Sequence, residues 1–391
     1  MRRPCNIYNS QSNKYFAKTE TLAKLNFGNL LMEDKRVPLT LLTGFLGAGK
    51  TTLLNTVLED TSAGRVAVIV NEFGEAGLDH DLIEQSSEEI ILMQSGCLCC
   101  SIRGDLSKTI SSLIGRKNRK EIEFDRLLIE TTGLADPGPI TQTLLVDSIL
   151  ARTTVLDGIV TVADAANGPK TLDAQFEAVS QVAMADLIIV SKTDLIKKAE
   201  AESFQSRLRT LNPSAKLIES NKGRGTNKHL WNLNALKAKS TKPEVVKWTL
   251  GEAPKLDPLE NISGFAPAQK LSLPTSNHDS RIGSASIVLD SPIKDTTFDL
   301  WLDTLIAMRG KDILRVKGIV FIEGVEKPFV FHGVQDIFDP PVLLEDWPRD
   351  DTQTRIVVIG RDLSESQLQR SFDMLRAPPH NKAPNFKFIN P

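Results

Sequence analysis

From Val37 onward, short apolar runs recur at regular intervals: "VPLTLLTG", "RVAVIVNE", "EEIILM", "FDRLLIET", "LDGIVTVAD", "ADLIIVSK" and "AKLIES". They are rich in Val, Ile and Leu and do not alternate with polar residues. Runs of that kind suit strands buried on both faces, as in a parallel sheet. Helix-like segments separate several of them, among them Lys50–Glu59, Asp105–Arg116 and Gly138–Leu150. Strand alternating with helix predicts a doubly wound, mostly parallel α/β domain over residues 37–240.

Residues 241–280 break the rhythm. They are proline-bearing and aperiodic, and read as a linker or long surface loop. A second pattern runs over 281–376. "RIGSASIVLD", "ILRVKGIVFIEG", "KPFVFHGVQ" and "RIVVIG" read as strands. "TTFDLWLDTLIAMRG" and "SESQLQRSFDML" read as helices. The simplest arrangement is a smaller α+β domain whose sheet is covered on one face by helices. Residues 377–391 read as a loose tail. The polar stretch 1–36 reads as a disordered or spurious extension, with Met32 an alternative start and no role assigned.

Length and composition agree with two domains. The chain has 391 residues, 41% of them apolar, and a formal net charge of −2. That length exceeds one ordinary core. The charge balance implies no field for nucleic acid or membrane surfaces, and no apolar run is long enough to span a bilayer. The cysteines are Cys5, Cys97, Cys99 and Cys100. Crowded so, they make a poor disulfide framework, which favours a reducing, cytoplasmic setting.

Chemistry concentrates in a few segments. "GFLGAGKT" fits G-x-x-x-x-G-K-[ST] between a strand and a helix. Gly44, Gly47 and Gly49 let the backbone curl so that successive N–H groups, including that of Ala48, converge on phosphate oxygens. The helix N-terminus at Lys50, Thr51 and Thr52 adds its positive dipole end. Lys50 is expected to reach the β- and γ-phosphates, and Thr51 to offer its hydroxyl to Mg²⁺. The bland alternative is a glycine turn that only caps a helix. In "RLLIETTGLADPG", Glu130 ends an apolar run and is the candidate for a Mg²⁺ contact or water positioner, whereas Asp136 before Pro137 is expected to shape a turn. In "LIIVSKTDL", the Asp194 carboxylate is placed to accept from guanine N1–H and N2–H₂, which adenine does not offer. The stem of Lys192 is expected to cover the base face.

"SGCLCCSIRGDL" falls between the third apolar run and a helix. Thiolates at C-x-C-C spacing suit a soft or borderline ion such as Zn²⁺ or Cu(I). Buried apolar cysteines or a redox switch are the alternatives. Open α/β sheets bind ligands beyond the carboxyl ends of their strands, so Cys97, Cys99 and Cys100 are expected on the same sheet edge as the phosphate cradle. Three local ligands leave the shell incomplete, as suits an ion that must leave again. "IVNEFGEAGLDHDLI" reads as an acidic loop that senses the γ-phosphate, with Glu72 the candidate facing both Mg²⁺ and the thiols. His332 in "FVFHGV" reads as a packed strand residue.

"GFLGAGKTTLLN", "NEFGEAGLD", "GCLCCSIRGDL", "ETTGLADP" and "SKTDL", in this order, resemble the CobW family of P-loop GTPases over residues 37–375. The resemblance implies a GTPase domain, a smaller C-terminal domain, and GTP-dependent metal delivery to a client protein, often of zinc and in some members cobalt. It carries metal binding onto Cys97, Cys99 and Cys100, the P-loop onto Gly44 to Thr52, and base recognition onto Lys192 and Asp194. Two departures stand out. Ser191 replaces the usual Asn, which predicts fewer bridging hydrogen bonds and weaker nucleotide affinity. The His-rich loop of many members is missing, which favours delivery over hoarding. A metal sensor or buffer with slow GTPase activity is the second reading. A small-molecule kinase is the third, and Asp194 argues against it.

Overall fold

The computed structural model describes residues 35–59, 64–71, 90–92, 98–101, 106–233, 240–251, 281–339 and 341–376. The expected extension up to residue 34, most of the expected linker and the expected tail lie outside these residues. No helix among them is long and apolar enough to cross a membrane.

The first sheet comprises β1 (Val37–Thr43), β2 (Val66–Asn71), β3 (Ile90–Leu92), β4 (Leu98–Ser101), β5 (Arg126–Thr131), β6 (Thr154–Asp164), β7 (Leu187–Ser191) and β8 (Lys216–Ser220). Their order is β3-β4-β2-β5-β1-β6-β7-β8. Every pair is parallel except β3 with β4. The central strands are buried along almost their whole length, which is why their sequence does not alternate. Helices lie between the strands: α1 (Lys50–Glu59), α2 (Leu106–Asn118), α3 (Pro137–Val146), α4 (Leu150–Thr153), α5 (Gly168–Ala174), α6 (Phe176–Met184) and α7 (Lys198–Leu211). The single helix expected over Gly138–Leu150 is two. Asp147 takes an extended conformation after α3, and its carboxylate accepts from Ile149 N and Leu150 N to start α4.

The second sheet is antiparallel. It contains β9 (Ile282–Leu289), β10 (Ile313–Val320), β11 (Phe329–Val334), β12 (Ile337–Phe338), β13 (Val342–Leu343) and β14 (Thr354–Arg361), in the order β12-β11-β10-β14-β9 with β13 on β11. Its cover differs from expectation, because both faces are buried. On one face Phe298, Trp301 and Leu302 of α9 (Asp295–Arg309) pack with Val316, Val320 and Phe331. On the other, Val245 of α8 (Lys242–Leu250) packs with Ile319 and Val330, while Leu314, Val357 and Ile359 join the core of the first unit. The expected linker therefore opens with a docked helix. Pro243 in its first turn and the Thr241–Glu244 capping box start that helix despite the proline-rich surroundings. Two short helices, α10 (Glu365–Ser371) and α11 (Asp373–Arg376), end the described residues.

A buried charge cluster joins the two units. Asp186, immediately before β7, is 6% exposed, and Arg315 and Lys317 of β10 are 2% and 1% exposed. Asp186 Oδ1 accepts from Arg315 Nη2 at 2.5 Å and pairs with Lys317 Nζ at 2.9 Å. Asp186 Oδ2 accepts from Ile159 N at 3.0 Å. Burial would raise the Asp186 pKa, but the two cations and Ile159 N–H hold it down to about 2. Burial pushes Lys317 down to about 8, against the pull of Asp186. His332, on β11, pairs with Asp339 at 2.6 Å and meets Trp248 edge-on, as a packed strand residue should.

Asp186→Ala strands two buried cations, so urea unfolding is expected to lose about 3–5 kcal/mol. The pH dependence has a definite sign. The folded value of about 2 lies below the ordinary 3.8, so the contribution of Asp186 is complete above 3.8 and fades as pH falls towards 2. The acid limb of a stability–pH curve should therefore flatten in the variant.

A candidate nucleotide-binding rim

Strand β1 lies between β5 and β6, so the chain leaves the middle of the sheet towards both sides. The crevice beyond the carboxyl end of such a strand is where open α/β sheets take ligands. The glycine loop sits there, directly after Thr43. Gly44 has φ 139°, and a Cβ on it would lie 2.4 Å from the Val162 carbonyl oxygen. Gly47 and Gly49 also have positive φ, at 72° and 102°. Only glycine holds this curl without strain. Ala48 is buried, whereas Gly47, Thr51 and Thr52 are exposed. Lys50, 9% exposed, donates to the Gly44 carbonyl at 2.8 Å and the Phe45 carbonyl at 3.3 Å.

Strand β5 delivers the acid. Glu130 is aligned with Leu42 of β1 and Val70 of β2, and is 6% exposed. Its Oε1 accepts from Thr51 Oγ1 at 3.3 Å. Thr131 Oγ1 donates to Thr43 Oγ1 at 2.9 Å, which ties the two strand ends together. The loop beyond β5 touches the glycine loop: a Cβ on Gly133 would lie 2.5 Å from Leu46 N. Gln181 of α6 holds that segment by donating to the Gly133 and Ala135 carbonyls at 3.1 and 3.0 Å. Asp136 shapes the turn as expected, capping α3 by accepting from Gly138 N at 2.9 Å.

Strand β7 delivers the segment that is expected to recognise the base. Ser191 Oγ donates to the Ala48 carbonyl at 2.7 Å, so the shorter residue still reaches the glycine loop. Lys192 has a left-handed φ of 56°, and its ammonium donates to the Gly47 carbonyl and to Asp164 Oδ2, each at 2.7 Å. Asp194 follows in a single 3₁₀ turn and is exposed, open to a ligand. Lys50, Thr51, Glu130, Ser191 and Lys192 thus meet around one loop.

The thiol segment enters the sheet instead of lying wholly beyond the carboxyl ends of the strands. Cys99 and Cys100 lie within β4, aligned with Val68 and Ile69 of β2. Those residues align with Leu128 and Ile129, and these with Thr40 and Leu41 of β1. The two cysteines are therefore level with the middle of β1, two and three residues short of Thr43. They are also three strands away, about 14 Å at ordinary strand spacing. Cys97 and Glu72 lie outside the described residues, as does the acidic loop beyond Asn71.

Asp164 and Gln181 were not singled out by sequence. Asp164 closes the apolar run of β6 as Glu130 closes that of β5, and that parallel was the available signal. Burial would raise its carboxyl, but hydrogen bonds from Lys192, Asn167 and Ala166 hold it below the ordinary carboxylate range. Gln181 carries no such mark, because its role depends on where α6 crosses the sheet.

Comparison with known proteins agrees with this geometry. Residues 38–219 match the model for the CobW/HypB/UreG nucleotide-binding domain, and residues 282–376 match that for the cobalamin synthesis protein cobW C-terminal domain. The zinc chaperone YjiA of Escherichia coli K12 is 32% identical, over 87% of this chain and 99% of its own length. The zinc-regulated GTPase metalloprotein activator 1 of Schizosaccharomyces pombe is 33% identical, over 84% of this chain and 83% of its own length. The crystal structure of Zn(II)-bound YjiA GTPase from E. coli superimposes with a TM-score of 0.66 at 28% identity, covering 88% of this chain and 100% of that one.

Gly133→Ala should displace Leu46 and the glycine loop with it. Nucleoside triphosphate affinity, measured by fluorescent-analogue titration, is expected to fall about tenfold, or ~1.4 kcal/mol. Circular dichroism should stay that of the parent.

Proposed function

Because the chain belongs to the CobW/HypB/UreG family, we propose that it is a GTP-hydrolysing metallochaperone. It takes up a transition metal ion, zinc or alternatively cobalt, at Cys97, Cys99 and Cys100 and passes it to a client protein. GTPase chemistry belongs to the family fold, and the convergence of Lys50, Glu130 and Lys192 on one glycine loop carries that part of the reading. The metal part draws support from the C-x-C-C spacing and from relatives that are named zinc chaperones. In this reading residues 37–240 are the GTPase unit, residues 281–376 choose the client, and the setting is the reducing cytoplasm.

Gly44, Gly47 and Gly49 present backbone amides to the phosphates, the Ala48 amide closes the turn on the Phe45 carbonyl at 3.1 Å and would turn to the ligand on binding, and Lys50 adds its charge. Thr51 and Glu130, in hydrogen-bond contact at 3.3 Å, offer oxygen atoms of the kind a hard divalent ion takes, Thr51 to the ion and Glu130 to the ion or its waters. Mg²⁺ bound there would neutralise charge developing on the β- and γ-oxygens. Asp194 selects guanine and Lys192 covers its face, with Ser191 anchoring both to the loop.

The metal ion is cargo. Three thiolates leave a tetrahedral shell one ligand short, which suits an ion in transit. Glu72, on the segment leading away from β2, is the residue proposed to feel both the phosphate end and the thiols. Since β2 lies between β4 and β5, a change at its carboxyl end reaches the Glu130 strand and the cysteine strand directly.

Zinc K-edge absorption on the protein loaded with one equivalent tests the metal site. Three sulfur ligands are expected in the parent and fewer in Cys99→Ser and Cys100→Ser; a sulfur-free shell in the parent refutes the assignment. Lys50→Ala should lower GTP turnover at least about tenfold, since it removes the ammonium beneath the phosphates.

A further inference from the structure

Asp164 is more than a turn residue. It is 8% exposed and divides its two oxygens between two tasks. Oδ1 accepts from Ala166 N at 2.8 Å and Asn167 N at 3.2 Å, which shapes the turn after β6. Oδ2 accepts from Asn167 Nδ2 at 3.1 Å and Lys192 Nζ at 2.7 Å. The same ammonium donates to the Gly47 carbonyl at 2.7 Å. One lysine thus links the β6 turn, the β7 turn and the glycine loop.

This link answers the departure at position 191. A serine hydroxyl has a single proton to donate, whereas an asparagine amide has two. Ser191 spends that proton on the Ala48 carbonyl at 2.7 Å, leaving the neighbouring Gly47 carbonyl to Lys192. Lys192 has a left-handed backbone and a side chain that is 34% exposed, so its own stem does not fix where its head goes. The carboxylate opposite it does.

We propose that Asp164 is a positioning residue for guanine-nucleotide retention: it holds the Lys192 ammonium on the Gly47 carbonyl and so fixes the lysine stem over the base. The role rests on the GTPase reading above. It acts on the base end and the glycine loop, not on the γ-phosphate, so it bears equally on GDP and GTP.

Asp164→Asn separates the two tasks. The amide oxygen keeps the Ala166 and Asn167 backbone N–H groups, while the amide NH₂ opposes the Lys192 ammonium donor to donor. Release of a fluorescent GDP analogue by the full-length protein is expected to be about tenfold faster than in the parent, the scale of a lost charge-assisted hydrogen bond. KM for GTP should rise with kcat within about threefold, because binding and not the transition state loses a contact. Lys192→Met should speed release similarly, and the double variant should be no worse than the worse single one. Release within twofold of the parent from a folded Asp164→Asn protein overturns the proposal, as does an additive double variant. A parent that binds no guanine nucleotide overturns the GTPase reading itself, and that result is read before any variant is made.

Discussion

The amides of the Gly44–Gly49 loop can converge on a phosphate only if its carbonyls are held elsewhere. Each peptide unit that turns its N–H to the ligand must point its C=O away, and a buried carbonyl left without a donor is costly. Here four carbonyls have named partners. Lys50 takes those of Gly44 and Phe45, Lys192 takes that of Gly47, and Ser191 takes that of Ala48. The first donor comes from the loop's own helix, and the other two are Ser191 at the end of β7 and Lys192 directly after it. The loop is thus held by the sheet around it, and the end of β7 is part of its foundation.

That dependence ties the rim to the rest of the molecule. Strand β7 runs from Leu187 to Ser191 and is buried until its last residue. Asp186 at one end is locked to Arg315 and Lys317 of the second unit, and Ser191 with Lys192 at the other holds the glycine loop. One short rigid element therefore connects the interface between the units with the nucleotide rim. On the other side of β1, the order β5-β2-β4 leads from Glu130 to the cysteine strand. The glycine-loop strand β1 and the cysteine strand β4 thus belong to one sheet, with β5 and β2 between them.

Much of this was legible in the sequence for a definite reason. Non-alternating apolar runs identify parallel strands, and "GFLGAGKT" marks the loop between β1 and the helix at its end. Glu130 and Lys192 were visible because each stands at a strand end inside a motif. Asp164 has the same position but was passed over, because its value comes from β6 lying beside β7, and pairing order is not written in local pattern. Arg315 and Lys317 were hidden by alternation: on β10 they look like the solvent side of an antiparallel strand, yet that face meets Asp186. The helix at Lys242–Leu250 was masked by the prolines around it. The strand at Leu98–Ser101 is hidden in the sequence because only Leu98 marks it as apolar, while the three thiols point to ligands.

Coupled binding of the two ligands to one sheet is the central requirement of a GTP-driven metal carrier. Binding free energies are reciprocal, so if GTP alters the hold on zinc, zinc alters the hold on GTP by the same factor. Zinc affinity, measured by competition with a chromophoric chelator in the presence and absence of a non-hydrolysable GTP analogue, should differ by about tenfold, or ~1.4 kcal/mol of coupling. Affinities equal with and without the analogue, in protein that binds both ligands, would contradict it.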